Sequence, residues 1–192
     1  LASSSHSAEE AHTTAVASWL ERIGMGLDAL ECGPSDPIND DATQSMYISG
    51  QAPTSLHNCC SGKHTGFLTL AKHLEDDPAF AVPGYLDPAH GVQIRVRDAQ
   101  ALMTGVDLQD QVPVIDGCSI PVYQFPLVSL ARALARLVTP ETVPATFAEA
   151  AATANCEPPS CSFAVSGTGR PPPVLTRAGP APTVLKVWVA GE

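Results

Sequence analysis

The sequence predicts a mixed α/β (α+β) fold in one domain that covers residues 1–154. A chain of 192 residues, of which 44% are hydrophobic and 16% charged, has the composition of a globular protein with a sizeable core. Several segments place apolar residues at helical spacing, and residues 112–115 are typical of a short strand. Proline interrupts the chain repeatedly after residue 155, so residues 155–192 are predicted to be a poorly ordered tail with one terminal strand at residues 184–189.

Two helices are predicted in the first half of the chain. Ser7-Ala8-Glu9-Glu10 has the form of a capping box with Ser7 as the N-cap, which predicts a helix over residues 8–23. The spacing of Phe67, Leu70 and Leu74 predicts a helix over about residues 60–75. Residues 31–54 are rich in Asp, Pro, Ser and Gly and are predicted to be mostly loop.

The second half is predicted to contain three helices and one strand. A helix is expected to open at residues 85–88 and to close at Gly105. The strand at residues 112–115 leads into Asp116-Gly117-Cys118, and Pro126 starts a helix with a regular apolar face. Residues 141–154 are Ala-rich and predict a weaker helix.

Charge and hydropathy exclude several classes of partner. The formal net charge is −10, and the Lys and Arg residues do not cluster, which argues against binding to nucleic acid or to an anionic membrane. No apolar run approaches the roughly 20 residues that span a bilayer, and the first residues do not resemble a signal peptide. We therefore expect a cytoplasmic protein with reduced thiols that acts on a small molecule.

Reactive side chains are concentrated in residues 57–67, which have the sequence His-Asn-Cys-Cys-Ser-Gly-Lys-His-Thr-Gly-Phe. If a helix begins here, Cys60 and Lys63 share one face of its first turn. The helix N-terminus and the Lys63 ammonium favour the thiolate form of Cys60, which can bind a metal or act as a nucleophile. A buried, inert cysteine at a tight turn is an equally consistent interpretation.

Two further groups of residues are candidates for a site. Ser5 and His6 lie at the junction with the first predicted helix, where enzymes often place catalytic groups, although the serines there could serve only to cap the helix. Asp116 and Cys118 lie in a Gly turn at the end of a strand, which fixes and exposes them. A simple turn beside a core cysteine is the alternative interpretation.

Three short motifs lack residues that the sites they resemble require. Gly62-Lys63 lacks the preceding Gly and the following Ser or Thr of a phosphate-binding loop. Ser166 lacks the Gly two positions earlier that a nucleophile elbow needs. Cys60 and His64 lie four residues apart, whereas the two members of a nucleophile and base pair usually come from different elements.

Residues 57–67 resemble the His-Asn-Asn-Cys-Ser-Gly-Lys-His-Ala-Gly-Phe motif of the L-asparaginase II family, the rhizobial-type enzymes that are distinct from the Thr-dependent asparaginases. Three further blocks are similar in the same order: Ser5-His6-Ser7 with His12, Glu31-Cys32-Gly33, and residues 116–121 with the sequence Asp-Gly-Cys-Ser-Ile-Pro. The resemblance covers residues 1 to about 137.

The resemblance implies hydrolysis of L-asparagine to L-aspartate and ammonia by a homodimer with a fold like that of serine β-lactamases and penicillin-binding proteins. The family uses two Ser-Lys pairs and a zinc ion. Its zinc ligands map onto Cys60, Lys63 and Cys118, and its second catalytic serine maps onto Ser5. The same blocks put His64 and Asp116 at substrate-binding positions.

The sequence departs from the family pattern at three points. The first Ser-x-x-Lys pair is expected upstream of Leu1, so the sequence as given is expected to be an incomplete copy with little activity of its own. Lys186 is the candidate for the lysine that pairs with Ser5, although its surroundings match the family poorly. Cys59 replaces the second Asn of the motif and would add either a metal ligand or a disulfide partner.

Two hypotheses of different classes follow. The first is an amidohydrolase of the L-asparaginase II type, for which asparagine and glutamine are both open as substrates. The second is a truncated, catalytically inactive relative that binds zinc.

Overall fold

The computed structural model describes residues 5–154, which form helices and one two-stranded antiparallel hairpin. The helices are α1 (Glu10–Arg22), α2 (Asp40–Ile48), α3 (Ser61–His73), α4 (Gly91–Thr104), α5 (Leu127–Val138) and α6 (Ala145–Ala154), and the strands are β1 (Val114–Ile115) and β2 (Pro121–Val122). Single 3-10 turns lie at Leu27–Ala29, Ser55–His57, Pro78–Phe80 and Pro140–Thr142. This helix-rich mixture with a small sheet is consistent with the predicted α/β class.

The described residues divide into two compact units. The first contains residues 5–102 and Val106–Phe125, and the second contains Met103–Gly105 and residues 126–154. The predicted boundary after residue 154 coincides with the end of the described part and stays a prediction. Lys186, the Pro-rich tail and the predicted strand at residues 184–189 lie outside the described residues.

The core of the first unit forms around α1 and α3, which pack against each other. Val16 and Leu20 lie four residues apart on one face of α1, and Leu68 occupies the facing side of α3; all three side chains are almost completely buried. Each such side chain contributes about 1.5–3 kcal/mol when it is removed from water. Cys118 and Ile120 from the hairpin belong to the same core, so packing fixes the hairpin in this unit.

The first helix begins later than the capping-box pattern predicted. Ala8 has a φ of 57°, a left-handed backbone that is incompatible with a helical start at residue 8. The N-cap is Glu9, whose carbonyl accepts the N–H groups of His12 and Thr13 at 2.8 and 3.1 Å. The Ser7 hydroxyl donates to Glu9 Oε1 at 2.8 Å instead of capping the helix, so the prediction of Ser7 as the N-cap was wrong.

Most of residues 31–54 is loop, as predicted, but α2 lies within this segment and was not predicted. Asn39 Oδ1 accepts the N–H of Ala42 at 2.8 Å, which satisfies one of the free donors at the helix start. Asp40 and Asp41 occupy the first turn, where the helix dipole favours negative charge. The polar residues that suggested a loop therefore belong to a capped helix start.

The helix over residues 60–75 was predicted at nearly the right place. Cys60 is the N-cap of α3, and the helix ends at His73, two residues before the predicted limit. The next helix, α4, begins at Gly91 and not at residues 85–88, which form turns. Tyr85 is completely buried in the core, so this residue anchors the loop before α4 instead of opening the helix.

The predicted strand is present as β1, and it pairs with β2 in a hairpin with Val114 opposite Val122. Asp116 closes the turn between the strands, because its N–H donates to the Ile120 carbonyl and its Oδ1 accepts the N–H groups of Cys118 and Ile120. Ser119 has a φ of 72°, as a tight turn of this kind requires. The hydrogen bonds of this turn thus fix the backbone position of Cys118.

The second unit contains the end of α4 together with α5 and α6. Arg132 and Arg136 on α5 donate to the carbonyls of Thr104 and Met103 at 3.4 and 3.0 Å, which satisfies acceptors in the last turn of α4. The predicted helix over residues 141–154 begins at Ala145. Within residues 5–154, every helix is too short or too polar to cross a membrane.

Candidate functional site

The N-terminus of α3 is fixed by Asn58, which is 6% exposed. Its Oδ1 accepts the N–H of Cys60 at 2.9 Å, and its Nδ2 donates to the carbonyls of Cys32 and Gly33 at 2.9 and 3.2 Å. All the hydrogen-bonding groups of one amide are therefore used to join the Cys32–Gly33 turn to the start of α3. This sets the position of Cys60.

The three residues predicted to bind zinc lie together. The side chains of Cys60 and Cys118 are hydrogen-bonded to each other, and Lys63, one turn further along α3, hydrogen-bonds to Cys118. Asp116 Oδ2 lies 3.3 Å from Cys118 Sγ and 3.5 Å from Lys63 Nζ. The hairpin turn and the first turn of α3 thus bring two thiols, an amine and a carboxylate into one cluster.

The thiols of this cluster retain their protons more strongly than free cysteine. The hydrogen bond to Cys60, together with burial, raises the pKa of the Cys118 thiol. The contact with Cys118 lowers the pKa of the Cys60 thiol, but the hydrogen bond to Cys59 and burial outweigh it, so that this pKa is also raised. A metal bound here would have to displace protons, which makes its affinity depend on pH.

Lys63 and Asp116 form a charged pair beside the thiols. Burial lowers the pKa of Lys63, but the combined interactions with Cys60, Cys118 and Asp116 outweigh this effect and raise it overall. Burial raises the pKa of Asp116, but hydrogen bonds from Cys118 and Ile120 more than offset it, and the pKa is lowered. Both groups are therefore charged at neutral pH.

The donor set fits a zinc ion. Cysteine thiolates and a neutral amine are donors that zinc accepts, so Cys60, Cys118 and Lys63 would together hold such an ion. In the part of the chain that the structure describes, no group of three or more His, Cys, Asp and Glu side chains is arranged to bind a metal. A metal in this cluster therefore depends on Lys63 as the third donor.

His64 is completely buried beside this cluster, and Tyr85 fixes its orientation. The Tyr85 hydroxyl accepts the N–H of Glu31 at 2.8 Å and lies 2.8 Å from His64 Nδ1. In the tautomer that has its proton on Nε2, Nδ1 accepts the proton of the Tyr85 hydroxyl, while the second function of that hydroxyl is to accept the Glu31 N–H. Nε2 is buried without a well-aligned partner, and the ring contacts the Cys118 thiol.

The segment before α1 is bound to the same end of α3. The His6 N–H donates to the Cys59 carbonyl at 3.0 Å, and His6 Nε2 lies 2.9 Å from the Ser61 hydroxyl. Burial and the neighbouring His12 lower the pKa of His6 to about 4. Ser5 is exposed, and its side chain hydrogen-bonds to Cys59, so the predicted catalytic serine lies next to the thiol cluster.

Cys59 adds a fifth side chain to this cluster, and the sequence assigns it no definite role. Its Sγ lies 3.9 Å from Cys60 Sγ. Hydrogen bonds from Cys60 and Ser5 outweigh burial and lower the pKa of the Cys59 thiol to about 6. Of the seven residues predicted for the site, six lie around the start of α3 and the hairpin turn, and Lys186 lies outside the described residues.

Two features of the site were missed from the sequence. The sequence predicts a helix start at Tyr85. No local sequence pattern indicates its hydrogen bond to His64, which lies 21 residues earlier. Asn58 lies inside the recognised motif, but its partners Cys32 and Gly33 are separated from it by 26 and 25 residues. Only packing of the folded chain brings these groups together.

Comparison with models of protein families identifies the family of this chain. The sequence model of the family described as L-asparaginase II matches residues 1–191, which include the whole described part and nearly all of the Pro-rich segment. Among curated proteins, none matches the chain.

Proposed function

The chain belongs to the L-asparaginase II family, and on that premise we propose that it functions in an amidohydrolase that converts L-asparagine to L-aspartate and ammonia. The observation that supports this most directly is the convergence of Cys60, Lys63 and Cys118 at the start of α3, next to an accessible Ser5. An amide is a poor electrophile, and its hydrolysis needs an activated hydroxyl together with groups that orient the carbonyl.

We propose that Cys60, Lys63 and Cys118 bind one Zn²⁺ ion. A zinc ion with one open position supplies Lewis acidity that polarises or orients the amide carbonyl. Asp116 supports the ligands, since its Oδ2 contacts both Cys118 and Lys63. The Lys63 amine must lose a proton before it can bind a metal, which is unusual for a group with an ordinary pKa of about 10.4.

Ser5 is proposed as the catalytic serine of the second Ser-Lys pair, with Lys186 as its basic partner. Ser5 is exposed, so its hydroxyl can reach a substrate. His64 is proposed to donate Nε2–H to the substrate in the tautomer in which Nδ1 accepts from the Tyr85 hydroxyl, because Nε2 has no well-aligned partner of its own. Asp116 is charged and is proposed to bind the α-ammonium group of asparagine.

The serine β-lactamase-like fold and the homodimer are part of the same proposal. The helices and the hairpin of residues 5–154 are compatible with a portion of such an α/β fold. Light scattering coupled to size-exclusion chromatography of the full-length protein tests the homodimer. A monomer at micromolar concentration would contradict it.

Ammonia release from L-asparagine by the full-length protein tests the activity. Ser5→Ala should reduce kcat/KM by at least about a thousandfold if Ser5 is a catalytic serine. Ser45→Ala, an exposed serine on α2, is the matched control and should leave the rate unchanged. Bound zinc without ammonia release from the unmodified protein would favour the inactive zinc-binding alternative.

A further inference from the structure

Cys59 and Cys60 are adjacent free thiols whose sulfur atoms lie 3.9 Å apart. Both side chains are half-buried, so they are accessible from solvent. The motif that residues 57–67 resemble has Asn where this chain has Cys59, so the proposed activity does not account for the second thiol. These sulfur atoms can approach to the bond length of about 2.05 Å when both side chains rotate and the peptide unit between them is distorted.

We propose that Cys59 and Cys60 are an oxidisable thiol pair, which a low-molecular-weight disulfide such as oxidised glutathione converts into an intrachain disulfide. The consequence for zinc rests on the proposed function, because Cys60 is one of the three proposed ligands. A sulfur in a disulfide is not a thiolate and does not bind zinc. Oxidation of this pair and zinc binding therefore exclude each other.

The choice of Cys59 as the partner of Cys60 follows from exposure and contacts. Cys118 also contacts Cys60, but it is 4% exposed and its thiol donates to Asp116 Oδ2 at 3.3 Å. Cys59 is half-buried at the surface end of the cluster, beside the exposed Ser5. A dissolved oxidant therefore reaches Cys59 before it reaches Cys118.

The reaction is an ordinary two-step thiol exchange. The Cys59 sulfur attacks one sulfur of oxidised glutathione, which forms a mixed disulfide and releases one glutathione thiol. The Cys60 sulfur then attacks the Cys59 sulfur and releases the second glutathione. Two protein thiols lose two electrons and two protons, and one glutathione disulfide takes up both to give two glutathione molecules.

Such a disulfide should be easy to reduce. The Cα atoms of adjacent residues are about 3.8 Å apart across a trans peptide bond, whereas ordinary disulfides join Cα atoms about 4.4–6.8 Å apart. The resulting strain makes the bond more readily reduced than a structural disulfide. The pair is therefore suited to reversible oxidation and not to permanent cross-linking.

The experiment maps all six cysteines of the full-length protein before and after treatment with excess oxidised glutathione. Free thiols are alkylated with one reagent, the protein is reduced, and the newly freed thiols are alkylated with a second reagent before peptide mass spectrometry. Zinc is measured in the same samples. Cys59→Asn is the matched variant, since it retains all three proposed zinc ligands.

We expect Cys59 and Cys60 of the unmodified protein to become linked, and bound zinc to fall at least about tenfold and to return after reduction and zinc addition. In Cys59→Asn, Cys60 should stay reduced and zinc should be retained. A Cys60–Cys118 disulfide, a stable glutathione adduct on Cys59 with Cys60 still free, or equal oxidation of Cys60 in the variant would each overturn the proposal. Zinc missing from the reduced protein would refute the zinc site alone, and the thiol map would still decide the disulfide.

Discussion

The hydroxyl of Tyr85 lies 2.8 Å from Nδ1 of His64, and both side chains are completely buried. Since the hydroxyl also accepts the N–H of Glu31, this one group joins the loop after Ala29, the loop before α4 and the first turn of α3. The imidazole is oriented by a hydrogen bond that is remote from the thiol cluster. Its Nε2 side is left to face Cys118.

Tyr85→Phe should therefore reduce the free energy of unfolding by about 1–3 kcal/mol, because it leaves the Glu31 N–H and His64 Nδ1 without their partner. Urea unfolding measures this change, and the imidazole ¹⁵N chemical shifts report the loss of a single tautomer. Tyr47→Phe is the control: it removes an exposed hydrogen bond to Asp36, so it should change the free energy of unfolding by less than about 1 kcal/mol and leave the imidazole shifts unchanged. Equal effects of the two substitutions would refute the assigned hydrogen bond.

The stability of the protein should fall as the pH decreases from about 6.5 to 4. The pKa of His6 is lowered to about 4 in the folded protein, first by burial and then by His12, whereas the unfolded value is 6.5. In this window the unfolded chain binds a proton that the folded chain does not, so unfolding becomes more favourable. His6→Gln should flatten the unfolding free energy over this pH range.

His73→Gln provides the comparison for that pH profile, because His73 is exposed in the last turn of α3. This control should keep the decrease in stability between pH 6.5 and 4. A pH profile for His6→Gln that matches the unmodified protein would show that other groups cause the decrease.

Zinc binding should depend on Cys118 and not on Cys32. Cys118→Ser removes one of two thiol donors and should lower zinc affinity by more than about a hundredfold. Cys32→Ser changes a buried thiol that bonds to the Ser55 carbonyl and should leave zinc content unchanged. Metal analysis measures the zinc content of both variants. Cobalt substitution reports thiolate ligands through a thiolate-to-cobalt absorption band. Equal metal content in the two variants would exclude the three-ligand site.

The same site predicts that zinc is lost on acidification. The pKa values of Cys60, Cys118 and Lys63 are raised, so protons compete with the metal for all three donors. Zinc affinity measured with a chelating indicator should increase steadily from pH 6 to pH 8. An affinity that does not change with pH would argue against thiolate and amine ligands.

Asn39→Ala should destabilise α2 by about 0.5–2 kcal/mol, since Asn39 Oδ1 accepts the N–H of Ala42 at the helix start. Thermal unfolding monitored by circular dichroism measures the change. Gln44→Ala, an exposed substitution on the same helix, is the control and should be neutral or slightly stabilising. A smaller effect for Asn39→Ala than for Gln44→Ala would contradict the cap.

Apolar spacing predicted the position of α3 within two residues, and the common face of Cys60 and Lys63 followed from it. The start of α1 was predicted wrongly, because the left-handed backbone of Ala8 has no signature in an Ala-Glu-Glu sequence. α2 was missed because its Asn-Asp-Asp start has the composition of a turn, although the same residues cap a helix. The bond between His64 and Tyr85 joins residues far apart in sequence, and no local pattern encodes it.

The amide of Asn58 has a practical consequence for engineering. Because it bonds to the Cys32 and Gly33 carbonyls as well as to the Cys60 N–H, an insertion or substitution that moves the 32–33 turn also moves the start of α3. A change to that turn would therefore also displace Cys60, one of the three residues proposed to bind zinc. Libraries that vary this turn should be screened for metal retention before they are screened for turnover.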